Sequence, residues 1–327
     1  MAVLEAARIG AGASGRTGGI PLAGSAADDL PGLGDVLAGF TAALAEFGVD
    51  CDLSLTGAWE IGRHGEPLAH SPIDWQDSGR LRAVREVPGG TLDAGKLVSG
   101  LARAAHGFGA MIFENLAVER IDWGESPVLS VVRARDGRGE RIAAGKILLA
   151  TNALSLGLAG LEAAAHPKLA LVAMTAPVSE GLLHAIGLSE RKPFYTVDFP
   201  YLWGRVCPDN SIMWGAGLVD PPDSHNVAQI DIAAEESSRT FVLLEKRVRG
   251  LHTALENISF THYWGGPILF RDNWLPVFDW HPQSRNGVVL GAYAGHGVAL
   301  SVHLGLWAAE AMLARRDLPD WGRIDVA

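Results

Sequence analysis

The sequence predicts an α/β protein built from two interleaved domains, one of them α+β. Three observations support this. Short apolar strands that lead into turns and helices lie at the start, in the middle and at the end of the chain. Between them stand two blocks that alternate like antiparallel strands. The chain has 327 residues, 48% of them hydrophobic, which suits two cores better than one.

Taken in order, residues 2–9 (AVLEAARI) read as a short buried strand. Residues 10–34 are rich in Gly, Ala, Asp and Pro and read as loop. Over residues 35–48, Val36, Phe40, Leu44 and Phe47 recur at helical spacing, with Gly48 as a stop. Residues 52–87 alternate and break at Gly and Pro, as strands and turns do. Residues 93–106 read as a helix with Asp93 as N-cap, Leu97, Leu101 and Ala105 on one face, and Gly107 and Gly109 at its end. AMIFENL follows as a strand. VLSVVRAR, DGRG and ERIAAGKILLATN read as a hairpin that runs into an apolar strand. ALVAMTAPV, PFYTVDFPYLWGRV and SIMWGAGLV alternate as antiparallel strands, and residues 227–256 read as helix. The last segment is strand, Gly-rich turn and helix, with Leu300, Leu304, Trp307, Ala308 and Ala311 on the buried face.

Net charge is −10, from 27 basic and 37 acidic residues without a Lys/Arg run, so nucleic acid is not an expected partner. Two cysteines, Cys51 and Cys207, imply neither a disulfide framework nor a metal spacing, and a reducing cytoplasm is the expected location. No metal site is predicted. No apolar run approaches the roughly 18 residues of a membrane span.

GAGASG, Gly10 to Gly15, matches the letters of the dinucleotide fingerprint G-x-G-x-x-G. A true fingerprint opens a helix whose N-terminus holds pyrophosphate. The next residues, RTGGIPLAGSAADDLPG, contain four Gly and two Pro and cannot form one. The match is therefore read as false. Glu5 offers another reading, because an acid ending the second strand of a dinucleotide fold holds a ribose. An ordinary strand followed by a loop is the competing reading. Gly291-Ala-Tyr-Ala-Gly-His-Gly297 follows a strand and opens a helix, where small residues let backbone approach a ligand and free N–H groups offer positive potential. A tight strand-to-helix turn with a structural His296 is the plainer alternative.

GAYAGHGVALSVHLG, VLEAARIGAGASGRTGG, ILLATNA and THYWGGPILFRDNWLPVF together resemble the FAD-dependent oxidoreductases of the D-amino-acid oxidase superfamily, in the branch of glycine, sarcosine and gamma-glutamylputrescine oxidases. GGTLDAGKLVSGLARAAHGFGAMIFENLAVERI is similar to the family's second FAD-domain segment. The resemblance implies a Rossmann-like FAD-binding domain, incomplete at its first strand and glycine fingerprint, over residues 1–25, 88–165 and 258–327. It implies an antiparallel-sheet substrate domain over 26–87 and 166–257. Glu5 would then bind the adenosine ribose, and Val118 the adenine side through its backbone. Ser14, Gly15, Arg16, Thr17, Gly18 and Gly19 would line pyrophosphate and flavin, and Thr151 and Asn152 would close the pyrophosphate site. Gly295, His296, Gly297 and Val298 would meet the flavin's pyrimidine edge, which gains negative charge on reduction.

The stretch GGPILFRDNW has no cysteine, so the resemblance implies noncovalent FAD. Ile268 stands where amino-acid-oxidising relatives place the carboxylate-binding arginine of W-x-G-x-R-P, and Arg271 is the expected substitute. Tyr195, Phe199, Tyr201, Trp203, Tyr263 and Trp264 are aromatic candidates for a wall over an amine. Tyr201 and Trp264 are preferred among them, against the alternative that such residues are core. The implied activity is oxidation of a C–N bond of an amine or amino acid by hydride transfer, with oxygen or another acceptor downstream. His296, Arg271, Tyr201 and Trp264 would form the reaction site. The alternative is a truncated or degenerate noncatalytic homologue with weak or no FAD binding.

Overall fold

The computed structural model describes residues 1–154, 156–220 and 232–324. The chain opens with strand β1 (Ala2–Leu4), a single helical turn α1 (Ala13–Arg16) and helix α2 (Val36–Phe47). Strands β2 (Ala58–Gly62), β3 (Asp74–Gln76) and β4 (Arg80–Val87) come next, then α3 (Ala94–Gly107) and β5 (Met111–Phe113). A meander follows, β6 (Leu116–Asp122), β7 (Val128–Arg133) and β8 (Gly139–Ala143), then β9 (Ile147–Leu149) and the one-turn α4 (Leu156–Ala159). The second half holds β10 (His166–Thr175), α5 (Glu180–Ala185), β11 (Phe194–Thr196), β12 (Trp203–Val206), β13 (Ile212–Val219) and α6 (Glu235–Leu251). It closes with β14 (Phe260–Phe270), β15 (Val277–His281), β16 (Ser284–Gly291) and α7 (Gly297–Met312).

Local chemistry sets the helix ends. Asp35 and Asp93 accept from the backbone N–H groups of Ala38 and Lys96 at 2.9 and 2.8 Å, which satisfies donors that the first turn leaves free. Gly48 ends α2 in the left-handed region at φ +64°. The first strand is shorter than its apolar run, because Glu5 turns the chain and its Oε1 accepts from Ala7 N–H at 2.8 Å. The helix expected over 227–256 runs from Glu235 to Leu251, and part of that stretch lies outside the described residues. Its end is set by His252, whose extended backbone leaves the helix and whose ring accepts from Ala254 N–H.

An eight-stranded sheet in the order β14-β10-β13-β12-β11-β2-β4-β3 dominates the fold. Its pairs are antiparallel except β11 with β2. β1 and β5 form one parallel pair, and β9 and β16 another, which β15 extends antiparallel. β6, β7 and β8 form a separate meander. Three cores result. Trp59, Trp75, Phe194 and Trp214 pack between the large sheet and Leu244, Val248 and Leu251 of α6. Ile147, Leu149 and Val289 of the parallel strands pack with Val131 of the meander. Val36, Phe40 and Leu44 of α2 pack against Leu300 and Leu304 of α7.

Two stretches fall on the other side of the expected division. α2 lies within 26–87 but packs against α7, since its apolar stripe meets the equally apolar inner face of that helix. β14 lies within 258–327 but ladders along β10 from Phe260 to Phe270, so it belongs to the large sheet. No helix among the described residues is long and apolar enough to cross a membrane.

Asp77 holds the loop between β11 and β12. Its Oδ2 accepts from Arg63 at 3.1 Å and from Arg247 at 2.6 and 3.0 Å, and all three side chains are 11–14% exposed. Arg247 also donates to the carbonyls of Pro200 and Tyr201 at 2.6 and 3.0 Å. Asp77→Asn removes the charge that both guanidiniums share. It is expected to cost about 3 kcal/mol, read as a lower urea midpoint at unchanged slope.

Candidate active site

Strands β12, β13 and β14 present one face of the large sheet to the loop around α1 and to the start of α3. Trp264, Val172, Gly215 and Trp203 are successive cross-strand partners, so they form one row across that face. Arg205 and Met213 are partners in the next row on the same side. Opposite them, Gly15, Arg16 and Thr17 join Asp93, Ala94 and Gly95 to enclose a cavity of about 370 Å³, with Arg205, Met213 and Trp264 on its sheet side.

Two contacts dock the loop on the sheet. Trp264 Nε1–H donates to the Arg16 carbonyl at 3.0 Å, and Arg16 Nη1–H donates to the Gly265 carbonyl at 3.2 Å. The Trp203 ring lies against Gly18 and Gly215, and a Cβ at either position would overlap it. The loop also joins α3, because Leu92 N–H donates to the Gly19 carbonyl at 2.9 Å.

The turn from β16 into α7 is held in an uncommon backbone. Ala292 and Ala294 have φ of +54° and +48°, a region that costs a residue with a Cβ roughly 1 kcal/mol or more. Hydrogen bonds hold both in place: Ala292 N–H donates to Asn152 Oδ1 at 2.9 Å, and Ala294 N–H to the Leu269 carbonyl at 3.1 Å. His296 is the N-cap residue of the 16-residue α7, and no side chain caps that end. The helix therefore directs its positive end at this turn. Burial pushes the His296 pKa down, opposed by the Ala294 carbonyl beside Nδ1, so the ring is held neutral. Burial likewise pushes the Tyr293 phenol up.

The expected site residues divide between places. Gly15, Arg16, Thr17 and Trp264 meet at the cavity, with Gly18 and Gly19 buried behind it and Ser14 exposed. Gly295, His296, Gly297 and Val298 form the turn at α7, and Asn152 ties to that turn while Thr151 is exposed. Glu5 stands after β1, and Val118 is half-buried in β6. Arg271 does not reach the cavity lining. It is 5% exposed and donates to the Arg323 carbonyl at 2.8 Å, because it follows Phe270, the last laddered residue of β14, at the far end of that strand from Trp264. Tyr201 also lies outside the lining, its ring tilted against Phe199 at 4.2 Å and edge-on to Trp274 at 6.4 Å. Tyr195 and Tyr263 donate to Glu60 and Glu245 at 3.0 and 2.6 Å. The residues missed from sequence are Arg205, Met213 and the wall formed by Asp93. Their one signal is the alternation of Trp203 and Arg205 on a strand, which puts both on one face.

The family described as DAO, FAD dependent oxidoreductase, matches residues 1–311. Among solved structures, glycine oxidase from Geobacillus kaustophilus superposes with a TM-score of 0.73 at 18% identity, covering 100% of this chain and 92% of that one. L-proline dehydrogenase from P. horikoshii gives 0.69 at 15% identity, covering 97% and 88%. Iminodiacetate oxidase from Chelativorans sp. BNC1 gives 0.65 at 13% identity, covering 100% and 90%. No curated protein sequence matches.

Two outcomes follow from this geometry. Gly215→Ala must displace the Trp203 ring, so it is expected to cost about 2 kcal/mol and to shift tryptophan emission. The unfolded imidazole of residue 296 takes up a proton near pH 6.5, whereas the buried one resists it. Its share of stability is therefore complete above about pH 6.5 and falls as pH drops below that value, down to the folded pKa. His296→Gln should lose less melting temperature than the wild type between pH 7.5 and 5.5. Equal losses would remove His296 as a source of acid sensitivity.

Proposed function

The chain belongs to the FAD-dependent oxidoreductase family, and from that premise we propose that it oxidises a C–N bond of an amine or amino acid. The observation that carries this reading is the pairing of two features: a cavity walled by Trp264 and the loop at α1, and a helix start with no side-chain cap at His296. FAD, held noncovalently, would supply the hydride acceptor for the carbon beside the amine nitrogen. The residues present fit its flavin end. The backbone of Thr17, Gly18 and Gly19 would support the ring system, and Gly295, His296, Gly297 and Val298 would face the pyrimidine edge. Glu5, Val118, Thr151 and Asn152 would hold the adenosine and pyrophosphate.

The protein's own part is positioning and electrostatics. The N-terminus of α7 supplies fixed positive potential, and the neutral His296 adds a polar ring without a competing cation. Trp264 is locked by its hydrogen bond to the Arg16 carbonyl, so the substrate meets a fixed apolar wall. Desolvation in the cavity favours the neutral amine, the form able to release hydride. Water then hydrolyses the imine to a carbonyl compound and the free amine or ammonium. Oxygen or another acceptor finally receives the electrons.

A second reading, a noncatalytic homologue with weak FAD binding, has one observation behind it. Among the described residues, GAGASG runs into only the single turn α1, Ala13–Arg16, so no long helix offers its N-terminus to a pyrophosphate there.

The visible spectrum separates the two readings. Flavin bands in the purified protein, bleached anaerobically by an amine or amino acid, are the expected result. A protein that stays colourless after incubation with FAD and gel filtration would leave only the second reading.

A further inference from the structure

A run of four aromatic rings lies on the face of the large sheet that carries the cavity. Along β14, Trp264, Gly266, Ile268 and Phe270 share that face, and Leu269 is buried in the core behind it. A Cβ at Gly266 would stand 3.6 Å from that of Arg16, and one at Gly295 would stand 3.5 Å from Ile268 Cδ1. The face thus continues from the cavity, past the turn into α7, to Phe270. Tyr201 precedes Trp203 by two residues, with Leu202 between them buried on the other side, so Tyr201 comes to the same face. Trp274 joins the two, edge-on to Phe270 at 5.5 Å and to Tyr201 at 6.4 Å. Phe199 extends the run, 4.2 Å from Tyr201.

These rings are fixed in place yet left to solvent. Phe199 and Tyr201 are 67% and 36% exposed, and Phe270 and Trp274 are half-buried. Trp274 keeps φ of +61°, a region that a bulky residue rarely enters. The Phe199–Tyr201 loop is tied by other groups: Asp198 Oδ2 accepts from Arg63 N–H at 2.6 Å, Thr196 Oγ1 accepts from Leu202 N–H at 2.8 Å, and Arg247 donates to two carbonyls of the loop. Nearby charges answer one another. Asp77 takes Arg63 and Arg247, Lys168 pairs with Asp220 at 2.7 Å, and His166 lies 3.3 Å from Asp272. Exposed apolar surface continuous with a cavity marks a place where another apolar body binds.

We propose that Tyr201, Trp274, Phe270 and Phe199 receive the far end of the substrate, and that the chain acts on an amine whose carbon chain ends in an aromatic or comparable apolar group. This rests on the reading of the protein as an amine-oxidising enzyme and names the part of the substrate beyond the reacting carbon. Two residues of extended chain, about 7 Å, separate Tyr201 from Trp203 of the cavity row. A phenyl group two carbons from an amine covers that reach. The three ring contacts are tilted or edge-on, which leaves ring faces and edges for a further flat group. A charged end would lose its water there and meet ions that already have partners.

The test titrates the full chain, with and without added FAD, with 2-phenylethylamine, n-butylamine and 4-aminobutyrate, followed by calorimetry. 2-Phenylethylamine should bind about tenfold tighter than n-butylamine, and 4-aminobutyrate should bind weakest. Trp274→Asn removes the ring but keeps a residue that tolerates the left-handed backbone. It should bring 2-phenylethylamine and n-butylamine within about threefold of each other, and Trp274→Phe should keep part of the preference. Three results overturn the proposal: 2-phenylethylamine binding no tighter than n-butylamine, tightest binding of 4-aminobutyrate, or a preference that survives both Trp274→Asn and Tyr201→Ala. Sedimentation velocity tests the other occupant, since a dimer that Phe199→Ser dissociates would give the rings to a second copy of the chain and overturn the proposal too. A protein that selects 2-phenylethylamine through Trp274 but never reduces added FAD with it keeps the aromatic site and sinks the flavoenzyme reading. Amine turnover that is indifferent to the apolar group does the reverse.

Discussion

The placement of Trp203 between two glycines is the constraint on which the site depends. Gly215 leaves a gap in the face of the large sheet, Gly18 leaves one in the loop, and the indole fills both. That contact fixes the distance between the sheet and the α1 loop. The paired hydrogen bonds of Trp264 and Arg16 then fix their lateral position. The cavity beside Trp264 is what remains between two surfaces that cannot approach further. Close packing of this kind transmits small changes rather than absorbing them, so the cavity's shape depends on residues that do not line it.

Much of the fold was legible because its signals are local. Asp93 and Gly48 mark helix ends through bonds to residues three or four positions away, which spacing alone reveals. The buried face of α7 was readable in the same way, from Leu300, Leu304 and Trp307. The partner of an apolar face was not readable. α2 has a clear stripe, but the stripe states only that it is buried, not that it packs against α7. β14 poses a related problem, since its pattern does not say that it ladders on β10 over its whole length.

The site followed the same division. Glycine spacing pointed to the small-residue turn at His296, whereas the loop from Ser14 to Gly19 was singled out only by its resemblance to the family. Long-range charge relations stayed hidden. Arg271 looked available on sequence, yet it is buried against the Arg323 carbonyl. Arg205 looked like any strand arginine, and only the register of β12 on β13 shows which face it occupies. Whether a cation is paired depends on neighbours from four separate segments, and no spacing rule encodes that.

The two parallel pairs are the least continuous part of the hydrogen-bonded framework. β1 ladders only with β5, and β9 only with β16, so each keeps an unpaired edge among the described residues. What joins the two pairs is side-chain contact, with Leu4 packed on the cluster that includes Ile147 and Leu149. Apolar contact holds layers together but sets relative position less strictly than a continuous hydrogen-bond ladder does. The turn into α7 and the α1 loop have the opposite character, because Asn152 Oδ1, the Leu269 carbonyl and the Trp203 packing pin their parts directly. A ligand spanning both ends would gain orientation at the rigid one and would have to order the other. The binding free energy is reduced by that ordering cost, whatever the quality of the contacts at the rigid end.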